Sequence, residues 1–93
     1  MKLYVVHYFS LLRKEDSPCW SSRSNYDFDF RTDLYSSFED ADKAVQKNKV
    51  DDVSFYDEWG FTLSYMDGGY RLEKGDSFIR CWVEEREVDE ELA

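Results

Sequence analysis

The sequence predicts an α+β fold: a single antiparallel sheet in the chain order β-β-α-β-β-β, with one helix packed on one face. Three observations carry that prediction. Large and charged residues alternate strictly through YDFDFRTDLY (26–35), as they do in a strand with two unlike faces. SSFEDADKAVQKNK (36–49) opens on a serine cap and continues at helical spacing. Asp67-Gly68-Gly69 separates two strand-like runs in FTLSYMDGGYRLE, which is the chemistry of a tight hairpin turn.

Each element can be justified in order. KLYVVHYFSLL (2–12) has apolar residues in both phases of a two-residue alternation, which predicts a central strand buried on both sides. Residues 13–25 bring charge, Ser and the only Pro without periodicity, and are expected to be a long mobile connection. YDFDFRTDLY is then the antiparallel mate of the first strand, with Tyr26, Phe28, Phe30, Thr32 and Leu34 as its apolar side. Asp27, Asp29, Arg31, Asp33 and Tyr35 form its other side. In the helix, Ser36 or Ser37 caps, Glu39 and Asp40 favour the positive N-terminal end, and Phe38, Ala41, Ala44 and Val45 make a narrow apolar stripe. DDVSFYDEWG (51–60) reads as an acidic loop. After the hairpin, EKGD turns the chain into a last strand, SFIRCWVEEREV, which dissolves into an acidic segment over 84–93.

Ninety-three residues allow one domain, spanning 1–93. The 18% aromatic content is too high for a disordered acidic tail, so the chain should fold. Its 21 acidic and 12 basic side chains leave a formal charge of −9. Residues 26–93 hold nineteen acids against eight bases, a formal −11, while the first 25 residues are net positive. A field of that sign repels nucleic acid and anionic membranes and attracts basic proteins. No apolar run approaches a membrane span, and a cytoplasmic protein is expected.

Chemistry-bearing motifs are sparse. Cys19 and Cys81 lie far apart without a CxxC pair, so two unpaired thiols are expected rather than a metal or disulfide framework. His7 is the sole histidine and has no nucleophile motif beside it; the four glycines fall at turns rather than in a phosphate loop. Asp51, Asp52, Asp57 and Glu58 lack EF-hand spacing, and neither metal nor cofactor is expected. A small metal-dependent enzyme built on His7 and these acids remains the alternative from another class.

The pattern KLYVVHY, a charged loop, YSSFEDADKAV and a closing IRCWVEEREVDE resembles many small bacterial and phage α+β proteins with a Ser-capped SSxEDAxxA helix and an acidic last strand. In size and charge the chain is also similar to anti-CRISPR and anti-restriction inhibitors and to immunity proteins. That resemblance implies a non-enzymatic inhibitor whose partner is a basic protein with a nucleic-acid-binding groove, such as a CRISPR effector, a restriction enzyme or a nuclease. An immunity protein or antitoxin is the nearest alternative.

The residues expected to meet such a partner are the carboxylates Asp27, Asp29 and Asp33, the aromatics Trp20, Tyr35 and Trp59, and the acids Glu84, Glu85 and Glu87. Alternate strand residues recur every 6.6 to 6.8 Å or so, which spaces the three aspartates as regular negative points. Trp and Tyr anchor interfaces, and flanking charge steers the encounter. No direct nucleic-acid contact is expected, and the protein is expected to be a monomer or homodimer.

Overall fold

The computed structural model describes residues 1–16 and 26–88. The α+β architecture and its chain order are as the sequence predicts. Strand β1 (Lys2–Arg13) is followed by β2 (Tyr26–Tyr35), helix α1 (Phe38–Tyr56), β3 (Thr62–Met66), β4 (Gly69–Lys74) and β5 (Ser77–Glu87). In space the strands run β2-β1-β5-β4-β3, every neighbouring pair antiparallel. The apolar β1 is therefore central, flanked by β2 and β5, and β2 and β3 are the edges.

Ser37 caps α1, its side chain accepting a hydrogen bond from the Asp40 backbone N–H at 3.2 Å. The helix then continues a full two turns beyond the predicted stretch, through DDVSFY, where a loop was expected. The hidden signal is the row Val45, Asn48, Asp52 and Tyr56, spaced three or four apart on one side of the helix. Two of those four are polar, so the row does not read as an apolar stripe. Each has a partner in the sheet: Asn48 donates to Cys81 Sγ, and Asp52 accepts from Tyr8 and Tyr70. A short 3-10 turn (Asp57–Trp59) and Gly60, at φ 85°, end the helical segment.

The core lies between α1 and the middle of the sheet, where Ala41 and Val45 meet Val6, Tyr70, Ile79 and Cys81. Cys81 is a free, buried thiol, and burial raises its pKa. A helix is about 10 Å wide and strands lie about 4.8 Å apart, so one helix shields roughly two of five strands. Edge strands stay open, and the face opposite α1 carries no layer among the described residues.

The β3–β4 hairpin turns through Asp67 and Gly68, the latter at φ 78°. Gly69 is required for another reason: a Cβ there would lie 1.9 Å from the Cys81 carbonyl oxygen, so β4 packs its backbone directly on β5. Of the expected connection 13–25, Arg13 belongs to β1 and Lys14–Asp16 forms a 3-10 turn. Asp16 is buried and accepts hydrogen bonds from Lys74 (2.9 Å) and Ser77 (2.7 Å), which pins the start of this connection to β4 and β5. Residues 17–25, with Cys19 and Trp20, lie outside the described residues, as does 89–93 of the acidic segment.

Candidate functional site

The geometry of β2 is dictated by its register with β1. Asp33 stands opposite Val6, Asp29 opposite Ser10 and Asp27 opposite Leu12, while Tyr35 faces Tyr4. Val6 and Leu12 belong to the core under α1, so the aspartates share the helix side of the sheet. The apolar residues of β2 take the opposite, bare side, where Phe28 is 61%, Phe30 53% and Leu34 68% exposed. This reverses the reading of Tyr26, Phe28 and Phe30 as the strand's buried side. Two unlike faces are legible in the alternation, but α1 covers only the centre of the sheet, and the pairing with β1 decides which face of β2 turns toward it.

On the helix side the three aspartates sit beyond the rim of α1, with Asp29 and Asp33 exposed and Asp27 half-buried. Asp29 pairs with Arg31 at 3.2 Å, and the Arg31 guanidinium lies 4.3 Å from the centre of the Tyr8 ring. Inward of them, Asp52 accepts the Tyr70 hydroxyl at 2.6 Å and the Tyr8 hydroxyl at 3.4 Å. Burial raises the Asp52 pKa although both hydroxyls and Arg31 oppose it; burial and this carboxylate also raise both tyrosines. Between the strand and the end of α1 runs a cleft of about 320 Å³, walled by Tyr8 and Tyr56 and rimmed by Asp27 and Asp29. It offers carboxylates beside aromatic faces, a combination that suits a guanidinium or ammonium group.

The remaining predicted residues divide between two surfaces. Tyr35 is half-buried and packs against the core, in one cross-strand row with Tyr4 and Glu85. Glu85 binds Lys2 at 3.0 Å, a contact that raises the lysine pKa, and Glu87 stands opposite Lys2 in the register. These acids share the helix side with the aspartates. Glu84 does not: it points to the bare face, where His7 Nε2 lies 2.6 Å and Arg86 Nε 3.1 Å from its carboxylate, and these contacts hold its pKa below the usual range. Trp59 is half-buried beside the core, stacked on Phe55 with ring centres 6.0 Å apart.

His7 lies on the bare face and α1 on the other, so the sheet stands between the histidine and helix residues Asp51 and Asp52. Among the described residues no group of three or more His, Cys, Asp or Glu side chains is arranged to hold a metal ion. A larger cleft of about 460 Å³ at the β3–β4 end has Glu73 and Lys74 as its charged lining. No helix among the described residues is long and apolar enough to cross a membrane. Sequence reasoning missed Tyr8 and Tyr56 and weighed Asp52 only as a loop acid of the metal-dependent alternative, because each reads as ordinary strand or loop until β1 and α1 are laid together. Comparison with protein-family models, curated proteins and solved structures finds no match to this chain.

Proposed function

We propose that this chain is a non-enzymatic acidic binding protein that masks a basic, nucleic-acid-handling protein in the cytoplasm, as an inhibitor of the anti-defence, anti-CRISPR type does. The observation that carries the reading is the edge strand β2, which sets Asp27, Asp29 and Asp33 on one side of the sheet next to an aromatic-walled cleft. Arg and Lys side chains of the target pair with these carboxylates, and the same groups are then denied to nucleic-acid phosphates. Arg31 over Tyr8, beside Asp29, is an internal example of how a guanidinium is held on this surface.

The test is capture of the target from host lysate on the immobilised protein, with elution by graded salt. A nucleic-acid-handling protein eluting at moderate salt is the expected result. A target with no nucleic-acid activity, or capture unaffected by charge reversal of Asp27, Asp29 and Asp33 together, removes the masking mechanism. A toxin nuclease as the captured protein assigns the chain to the immunity or antitoxin class instead.

A further inference from the structure

The bare face of the sheet has a character unlike the rest of the molecule. Phe9 of β1 lies at the centre of an aromatic cluster, its ring centre 5.1 Å from Phe28, 6.1 Å from Phe30 and 5.4 Å from Phe78. His7 stacks on Trp82 at 4.9 Å, and Leu34 extends the apolar surface along β2. The register places Arg13, Arg71, Arg80 and Arg86 on this face against Glu73 and Glu84, so its strands carry a formal +2 in a chain of −9.

The arginines at its middle are incompletely matched. Arg71 and Arg80 stand directly opposite one another on β4 and β5, an unfavourable like-charge pair, both near the Phe78 ring. Among the described residues Arg80 Nε is buried with no hydrogen-bond acceptor. Arg71 Nε is also without one, although Glu73 Oε1 is an ion-pair neighbour at 2.6 Å whose direction does not suit the N–H.

We infer that this face is the interface of a homodimer, closed sheet on sheet by a second copy of the chain. Size, charge and self-complementarity all favour that occupant. Three long strands and two short ones, at about 3.3 Å per residue and about 4.8 Å between strands, present roughly 700 Å² in projection. A standard stable interface takes about 800 Å² of accessible surface per partner, and a corrugated face exposes more than its projection. Two copies of a strongly acidic chain repel through their helix sides, whereas this face, at a formal +2, carries the smaller charge of the two. Because a two-fold contact sets each residue against its counterpart's surroundings, the exposed Phe28, Phe30 and Leu34 of one copy can cover the same apolar surface of the other. Facing sheets pack about 10 Å apart, within reach of interdigitating Phe28, Phe30 and Phe78. Both acidic helix sides then point outward.

The test is sedimentation velocity on the full chain from about 1 µM to about 200 µM, which follows association by mass action. Wild type is expected to approach twice the 11.2 kDa chain mass. Phe30→Asp, and separately Leu34→Asp, should each weaken association roughly tenfold or more, with unchanged far-ultraviolet circular dichroism, since both side chains are exposed in the single chain. Asp29→Lys, on the other side of the sheet, should dimerise as wild type does. A wild-type monomer at every concentration overturns the inference, as does a dimer indifferent to both substitutions. A wild-type monomer that binds a fluorescein-labelled single-stranded oligonucleotide, with binding lost in Phe30→Asp, overturns it in favour of nucleic acid on the same face.

Discussion

The Tyr70 hydroxyl donates to Asp52 Oδ2 at 2.6 Å beneath helix α1, tying the second half of the helix to the fourth strand. Tyr70 is fully buried, so its hydroxyl has no water to turn to. Tyr70→Phe removes the shorter of the two tyrosine hydrogen bonds to that carboxylate and should cost about 1–3 kcal/mol at neutral pH, measured by urea denaturation. Burial raises the Asp52 pKa above its unfolded value, so the native state takes up a proton more readily than the unfolded one. Its contribution to stability is therefore full below the ordinary carboxylate range and is lost as pH rises through the folded value. The protonated carboxyl needs its donors less, so the cost of Tyr70→Phe should shrink toward pH 4. A cost independent of pH would show that Asp52 is not the group concerned.

Asp16 predicts the opposite slope. Burial alone would raise its pKa, but the hydrogen bonds from Lys74 and Ser77 outweigh burial and hold it below the usual range. Its stabilisation is present above the unfolded carboxylate pKa and lost as pH falls through the lowered folded value. Asp16→Asn should cost about 1.5–3 kcal/mol at pH 7 and flatten the acid limb of the stability profile, read from urea midpoints across pH.

Gly69→Ala should be the most damaging small substitution in the chain. The added methyl would sit 1.9 Å from the Cys81 carbonyl oxygen and 2.7 Å from the Trp82 Cα, both backbone atoms of β5, so no flexible side chain is there to yield. Loss of the folded state, or a fall in stability beyond about 4 kcal/mol, is expected by circular dichroism. Gly75→Ala meets no atom within 4 Å and pays only for its φ of 57°, so it should fold.

Charge reversal at Asp27, Asp29 and Asp33 together should abolish inhibition of the target. The Asp29–Arg31 pair it removes is an exposed one, worth about 0–1 kcal/mol. Circular dichroism of the triple variant against wild type establishes that it is folded before its inhibition is assayed. Wild-type affinity should fall as salt rises, because the attraction is between charges that meet at a surface. Full inhibition by the folded variant excludes this strand as the contact.

Much of the architecture was legible in the chain. Alternation marked β2, Ser37 marked the start of α1, and Asp67-Gly68-Gly69 marked the β3–β4 turn, because each depends on residues close in sequence. The last two turns of α1 were not legible, since Asn48 and Asp52 occupy its inner side as polar residues. They are matched by Cys81, Tyr8 and Tyr70, which arrive from distant strands. The candidate site was legible in part: the carboxylates of β2 were found, and the aromatic walls of their cleft were not.

The sequence by itself determined that 26–35 is a strand with an acidic side and an aromatic side. Only the tertiary structure decided which side meets α1. A two-residue period separates two faces without naming them, and one helix is too narrow to cover an edge strand. The pairing of Asp33 with Val6 and of Asp27 with Leu12 therefore turned the carboxylates toward the helix and left Phe28, Phe30 and Leu34 in the open.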